Sequence, residues 1–260
     1  MSGTALLHLT PGDYHVIRAE DFGSPGLTAR ESIGPAASVQ VLGPLVTVHD
    51  STFDPRTGIG HHPHRGMERL FYILEGAVDH DDARNHITGH MGTGDLGILT
   101  EGRRGMLHSE WNNTDGGTRC YIMVYPTDPL PETASFDAIR DDEARRVPVG
   151  AGVVTKQVVE RGDDRLHGDV REFADSSLDA GAALDVRLGR DESALVFVVE
   201  GALDVEGADG SAATAALGRE HTVAVAPAPQ ARSLLLKARE HSRVLHAVMG
   251  PGLGLRRRAG

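Results

Sequence analysis

The sequence predicts an all-β protein of two similar β-domains, and three observations support this. Short runs rich in β-branched and aromatic residues recur along the chain and are bounded by turn residues. The 32 glycines and 13 prolines are spread through the 260 residues, which is typical of sandwiches and barrels made of many short strands. One segment of the first half also resembles a segment of the second. The length accommodates two ordinary domains.

The strand-like runs fall into two groups. In the first half the predicted strands are 43–50, 69–78 and 118–125. Prolines and then an acid-rich stretch follow, so we expect an interdomain linker at 131–147 with one helical turn near 136–145. The predicted domains are therefore 1–130 and 148–260. The strands predicted in the second are 153–159, 170–173, 183–188, 194–199, 202–205, 222–226, 233–237 and 244–248.

An internal repeat relates the two halves. Leu70-Phe-Tyr-Ile-Leu-Glu-Gly-Ala-Val78 aligns with Leu195-Val-Phe-Val-Val-Glu-Gly-Ala-Leu203. In both segments an apolar strand ends in Glu-Gly-Ala, and a further strand follows. The pattern predicts a duplication with a period of about half the chain.

Composition excludes several classes of protein. The single cysteine, Cys120, excludes an intrachain disulfide and a metal site built from cysteines. A net charge of −11 argues against a surface that grips nucleic acid, so we expect no direct nucleic-acid binding. No run approaches the ~18 apolar residues of a membrane span, and the N-terminus lacks the pattern of a signal peptide. We therefore expect a cytoplasmic protein with no membrane association.

Two pairs of side chains indicate a metal site. His62 and His64 are two positions apart, as are His108 and Glu110, and residues i and i+2 of a strand point to the same face. If the two strands face one another inside a barrel, three imidazoles and one carboxylate meet at one point. Such a set suits Fe(II), Mn(II), Ni(II), Cu(II) or Zn(II). The alternative is that these are surface histidines on two exposed strands, and Pro63 favours an edge or irregular strand in either case.

The same motifs resemble a known family. The N-terminal domain of pirins is similar over about 44–125, through Gly60-His-His-Pro-His-Arg-Gly-Met-Glu68, Tyr72-Ile-Leu-Glu-Gly76, Gly94-Asp-Leu96 and Gly102-Arg-Arg-Gly-Met-Leu-His-Ser-Glu110. The second half is similar to the C-terminal domain of bacterial pirin-like quercetinases. Pirins are bicupins, so the resemblance implies two jelly-roll β-barrels of the cupin superfamily in one chain.

The resemblance also implies a site. It places one mononuclear divalent metal ion, usually iron as Fe(II), in the N-terminal barrel, with Ni, Mn, Co, Cu and Zn as alternatives. The implied metal ligands are the four residues that strand alternation selects, His62, His64, His108 and Glu110. The C-terminal barrel has no matching pair of ligands, and we expect it to support the first barrel without holding a metal.

Residues around the site are harder to assign from sequence. Glu68 occupies a position where many other cupins have a metal-binding glutamate, and we expect it beside the ligands rather than on the metal. His80 enters a hairpin and belongs either to a solvated turn or to the cavity wall. Arg103 and Arg104 precede the second ligand pair, and they are expected to favour an anionic or phenolate ligand.

Two functions follow from the resemblance. The first is quercetin 2,3-dioxygenase-type oxygenation of a flavonol-like phenolic substrate, with Glu110 as the catalytic base that removes a hydroxyl proton. The alternative is a redox-sensing regulatory protein, in which the metal alters a surface that meets a protein partner. The sequence does not decide between the enzyme and the regulator.

Overall fold

A computed structural model of the chain describes residues 6–207 and 215–258. Residues 1–5 and 259–260, at the outer limits of the predicted domains, lie outside the described residues. A 3-10 helix, Pro11–Asp13, and α1 (Ala19–Phe22) occur near the N-terminus. The strands are β1 (Leu6–Leu9), β2 (His15–Ile17), β3 (Leu27–Ile33), β4 (Val39–Leu42), β5 (Thr47–Phe53), β6 (Gly58–His64), β7 (Met67–Glu75), β8 (Ala77–Asp82), β9 (Ile87–Gly92), β10 (Leu96–Thr100), β11 (Met106–Trp111), β12 (Thr118–Pro126), β13 (Ser135–Ile139), β14 (Arg145–Gly150), β15 (Val153–Val159), β16 (Val170–Leu178), β17 (Ala183–Leu188), β18 (Ser193–Glu200), β19 (Leu203–Gly207), β20 (Ala215–Leu217), β21 (Thr222–Val225), β22 (Arg232–Ala238), β23 (Ser242–Met249) and β24 (Leu255–Arg257).

These strands form two jelly-roll barrels, which confirms the predicted fold class. The N-terminal barrel packs a nine-stranded sheet, β13-β10-β7-β12-β5-β3-β4-β24 with β2 beside β3, against the four-stranded sheet β6-β11-β8-β9. The C-terminal barrel packs the seven-stranded sheet β1-β21-β18-β23-β16-β15-β14 against the four-stranded sheet β17-β22-β19-β20. Nearly all pairs of neighbouring strands are antiparallel, and β3 with β4 is a parallel pair.

The two large sheets pack against one another through an apolar core. On β7, Leu70 and Tyr72 face this inter-barrel core, whereas Phe71 faces the interior of the N-terminal barrel. On β18, Phe197 faces the inter-barrel core and Val196 faces the C-terminal barrel interior. Because both faces of these strands are buried, their sequences are continuous apolar runs rather than alternating ones.

The predicted repeat is present in the structure. β7 and β18 each end in a glutamate followed by a glycine in the left-handed region, with φ of +79° at Gly76 and +85° at Gly201. A Cβ at Gly76 would lie 2.7 Å from the Gly117 carbonyl oxygen, and one at Gly201 would lie 2.4 Å from that of His241. Both positions therefore require glycine for the same two reasons, backbone angle and close approach.

The first and last strands of the described chain each belong to the barrel that the opposite half of the chain forms. β1, at the N-terminus, pairs with β21 in the large sheet of the C-terminal barrel. β24, near the C-terminus, pairs with β4 in the large sheet of the N-terminal barrel. Each barrel is thus completed by a strand from the far end of the chain, an arrangement that local sequence patterns do not reveal.

The segment expected to be a linker contains two strands. β13 pairs with β10 in the first barrel and β14 pairs with β15 in the second, so only 140–144 connects them. Within 140–144 the chain makes a single turn, in which Ala144 N–H donates to the Arg140 carbonyl oxygen at 3.2 Å, while the rest of the segment expected to hold a helical turn is strand. Packing of Phe136 helps to explain why β13 is a strand, because its ring lies directly over Gly89 in β9.

Candidate metal centre

Neighbouring strands of the small N-terminal sheet bring the three predicted histidines together. β6 and β11 pair antiparallel, with His62 opposite His108. The ring centroid of His62 lies 4.5 Å from that of His108 and 4.7 Å from that of His64. The third separation, between His64 and His108, is 5.0 Å. One nitrogen from each ring can be chosen so that all three lie within 4.8 Å of one another.

Pro63 is tolerated between the two ligands because β6 is the edge strand of its sheet. It pairs only with β11, so a missing backbone N–H costs no bond to a second neighbour. The edge position also leaves the His62 side chain 28% exposed and that of His61 42% exposed. The sequence expectation of an edge strand at Pro63 is confirmed.

The fourth predicted ligand, Glu110, lies beside His108 and His62, but the group of three histidines within 4.8 Å of one another does not include it. A register shift in β11 separates His108 from Glu110. The Glu110 carboxylate lies 3.0 Å from Nδ1 of His108 and 3.9 Å from Nε2 of His62, and its side chain is 4% exposed. Burial alone would raise the pKa of Glu110, but the hydrogen bond from His108 and the nearby positive charge lower that pKa to about 2. Glu110 is therefore a carboxylate at neutral pH.

The ring nitrogens provide a test of whether a metal fits. His62 donates from Nδ1 to the Gly60 carbonyl oxygen at 2.9 Å, which leaves its Nε2 lone pair available. Nε2 of His108 is buried and has no hydrogen-bond partner among the described residues. Burial lowers the pKa of His62, and burial with the nearby Arg69 charge lowers that of His64 to about 3. The available nitrogens of His62 and His108 beside an ionised carboxylate are donors that divalent first-row metals bind, so these residues fit.

His64 differs from the other two histidines in its partner. Its Nδ1 lies 2.8 Å from Nη2 of Arg69, and a guanidinium can only donate. The contact therefore assigns the lone pair to Nδ1 and the ring proton to Nε2. A metal bound through His64 must either replace the guanidinium at Nδ1 or displace the proton at Nε2, so metal binding and the position of Arg69 are coupled.

His80 lies against the cluster from the neighbouring strand β8. It is 2% exposed, its Nδ1 is 3.4 Å from Nδ1 of His108, and its ring stacks on Phe136 with centroids 5.4 Å apart. Burial lowers its pKa to about 4. Together with His108 and Glu110 it forms a second group that could hold an ion. Of the two readings left open by the sequence, the structure places His80 with the site rather than in a solvated turn.

Glu68 lies in a different place from the predicted ligands. It is fully buried, and its carboxylate accepts hydrogen bonds that tie the two barrels together. Among the described residues the hydrogen-bond partners of this carboxylate are Tyr125 at 2.8 Å, Thr100 at 2.8 Å, and the backbone and Nδ1 of His167 at 3.1–3.2 Å. The sequence suggested that Glu68 lies beside the four predicted ligands. None of these hydrogen bonds is to one of those ligands.

A cavity of about 290 Å³ opens onto the cluster, and among the described residues one arginine lines it. That cation is Arg69 rather than the Arg103 and Arg104 expected from the sequence. Both of those side chains are 67% exposed and approach Glu132 on the surface. Strand alternation could have identified Arg69, because it lies two residues before Phe71, which lines the same cavity. The remaining lining residues are Phe22, Leu27, His49, Ser51, Phe53, Ile59, His62, His64, Glu110 and Ile122.

Comparison with known proteins gives the chain a family. The family model described as Pirin matches residues 28–123. A pirin-like protein of Caulobacter vibrioides is 30% identical over 201 residues, which cover 74% of this chain and 72% of that protein. This chain belongs to the pirin family. The resemblance identified from its histidine and glycine motifs is thereby confirmed.

Further similar proteins and solved structures extend the comparison. The quercetin 2,3-dioxygenase of Escherichia coli K12 is 32% identical over 102 residues, which cover 37% of this chain and 43% of that enzyme. The crystal structure of YhhW from Escherichia coli matches with a TM-score of 0.74 at 20% identity, covering 95% of this chain and 98% of that one. A structure of bacterial pirin YhhW in complex with nickel(II) matches with a TM-score of 0.69 at 21% identity, covering 92% and 99%. At these identities the structural matches establish the bicupin fold.

In the described part of this pirin-family chain, no helix has both the length and the apolar character that a membrane crossing requires.

Proposed function

We propose that this pirin-family chain is a metal-dependent dioxygenase that oxygenates a flavonol-like phenolic substrate at a mononuclear metal, with Fe(II) as the native ion. The observation that carries the proposal is that His62, His64 and Glu110 line one cavity, and that the buried His108 contacts Glu110 at 3.0 Å. When bound there, a redox-active ion supplies Lewis acidity and electron transfer to dioxygen. Fe(II) is proposed ahead of Ni, Mn, Co, Cu and Zn because the family resemblance implies iron.

The cavity walls suit an aromatic substrate. Phe22, Phe53 and Phe71 offer apolar surface, so a phenolic ring is removed from water when it binds. Within the same cavity Glu110 is the hydrogen-bond acceptor for a substrate hydroxyl. We propose Glu110 as both a metal ligand and the group that receives the hydroxyl proton. The quercetin dioxygenases among the relatives support this reaction class.

The first experiment is metal analysis of the purified protein, followed by oxygen uptake and loss of flavonol absorbance after iron loading and addition of quercetin. We expect one metal per chain and turnover, both abolished by His62→Ala. His241→Ala is the matched control, because that histidine is 61% exposed in the other barrel. Stoichiometric metal without turnover would refute the dioxygenase, and absence of metal from every preparation would refute the ligand assignment.

A second function is favoured by the position of β6. Two of the proposed ligands lie on this edge strand, which exposes His61 and part of His62 to solvent. A change in the oxidation state of the ion would therefore act next to a protein surface, as a redox-sensing regulator of a protein partner requires. The test is the affinity for a candidate partner in the Fe(II) and Fe(III) forms. Equal affinities would reject this function.

A further inference from the structure

The cavity beside the proposed metal ligands contains an arginine that the ligand set does not use. Arg69 lies on β7, and its side chain is 17% exposed. It lines the cavity together with His64, to which it is hydrogen-bonded, and with Phe71 on the same face of the strand. A cation placed against apolar walls interacts strongly with an anion, because the local dielectric constant is lower than that of water.

A buried carboxylate holds this guanidinium in place. Glu101, 1% exposed, accepts a hydrogen bond from Nε of Arg69 at 2.7 Å. Its other oxygen accepts from the backbone N–H of Met67 at 2.9 Å, so the carboxylate is fixed from two sides. The orientation of Arg69 is thus set before any ligand enters, which reduces the entropic cost of using it for binding.

Arg69 also retains free hydrogen-bond donors. A guanidinium has five N–H groups. Within the described ranges, Glu101 takes the one on Nε and His64 takes one on Nη2. The rest are available to a ligand in the cavity, and a carboxylate accepts two parallel hydrogen bonds from such a fork.

Charge and size define the ligand further. Glu101 offsets the charge of Arg69, and Glu110 offsets one of the two charges of a divalent ion bound by neutral histidines. One positive charge then remains for a monoanion to balance. At about 290 Å³ the cavity is just below the range of about 300–1,000 Å³ that is typical of pockets for drug-sized ligands.

We propose that Arg69 makes this cavity bind small hydroxylated carboxylic acids in preference to their uncharged analogues, with the carboxylate paired with the guanidinium and the hydroxyl facing the metal ligands. This inference rests on the proposed function and adds single-ring phenolic acids to the flavonol-like substrates proposed there. Arg69 is the specificity-determining residue, and Glu101 positions it.

The test compares binding of 2-hydroxybenzoate and its uncharged analogue 2-hydroxybenzamide to the zinc-loaded protein by calorimetry. Zinc holds the site without redox turnover, so binding is measured alone. We expect the acid to bind at least about tenfold more tightly, since hydrogen bonds to charged groups are the stronger ones. In the double variant Arg69→Met/Glu101→Gln, which leaves no buried unpaired carboxylate, we expect the preference to fall to within about twofold.

The controls separate this proposal from the proposed function. Arg103→Met removes an exposed arginine outside the cavity and should retain the preference. A preference that survives loss of Arg69 would show direct coordination of the carboxylate to zinc and would overturn the proposal, as would equal affinities in the wild-type protein. The same titration without metal still reports on Arg69, with weaker binding because Glu110 is then uncompensated. A preference that depends on Arg69, without oxygen uptake by the iron form, would refute the dioxygenase alone.

Discussion

Nδ1 of His108 lies 3.0 Å from Oε1 of Glu110, the residue two positions further along the same strand. This contact engages Nδ1 of His108, whose other ring nitrogen, Nε2, is buried. Glu110 also lies within 3.9 Å of His62 on the adjacent strand, so one carboxylate connects two of the proposed ligands.

Replacing this carboxylate should weaken metal binding. In Glu110→Gln the amide oxygen still accepts from His108, but the negative charge that attracts a cation is lost. We expect metal affinity to fall by at least about tenfold in a chelator competition assay. Asp115→Asn is the control, because that carboxylate is 91% exposed and lies outside the site. Unchanged affinity in Glu110→Gln would show that Glu110 is not a ligand.

Replacing Glu68 with glutamine should lower the stability of the fold without changing metal binding. Glu68 is fully buried and accepts from Tyr125, Thr100 and His167, and an amide group cannot accept all of these hydrogen bonds. We expect the free energy of unfolding to fall by about 1–3 kcal/mol in urea titrations, with metal stoichiometry unchanged. A loss of metal at unchanged stability would instead place Glu68 beside the ligands.

Acid should destabilise the fold in part through His246. Burial lowers the pKa of His246 from 6.5 to about 4, although Asp175 favours the charged form. Between these values the unfolded chain binds a proton at this residue and the folded chain does not, so stability falls as the pH falls. The full difference of about 2.5 pKa units corresponds to about 3 kcal/mol at pH 4.

Urea titrations at pH 7, 6 and 5 provide the measurement for His246. In His246→Gln the amide can still pair with Ser176, which lies 3.1 Å from Nε2 of the histidine. We expect the variant to lose less stability than the wild-type protein between pH 7 and pH 5. Parallel curves for the two proteins would contradict the expectation.

The two equivalent glycines should respond alike to substitution. Gly76→Ala and Gly201→Ala each force a Cβ against a backbone carbonyl at a positive φ. We expect each to cost about 1–3 kcal/mol of stability, measured by thermal or urea unfolding. Gly116→Ala is the control, since a Cβ there meets nothing within 4 Å. A large loss for only one of the two would argue against their equivalence.

Local patterns predicted the parts of this protein that depend on near neighbours in sequence. The apolar runs became strands, and Glu75-Gly76 and Glu200-Gly201 ended equivalent strands because both glycines lie at turns. The ligand pairs were predicted by the two-residue period of a strand, which needs no knowledge of the partner strand. The inference that two such pairs meet required the family resemblance or the structure itself.

Errors arose where the outcome depended on distant chain segments. Segment 131–147 appeared to be a linker because its acids and prolines are typical of one, yet β13 is held by pairing with β10. Arg103 and Arg104 are close in sequence to the ligands but extend from the surface, whereas Arg69 reaches the cavity from another strand. His80 remained undecided because β8 joins β11 only after the sheet has formed.

The sequence by itself determined the all-β class, the duplication and the four candidate ligands, because strand alternation and turn chemistry act over a few residues. Only the tertiary structure decided which cation shares the cavity with the ligands and that Glu68 joins the barrels. It also decided that each terminal strand completes the opposite barrel. These features depend on strand pairing and barrel closure between residues far apart in the chain, and the free energy of such contacts leaves no local pattern in the sequence.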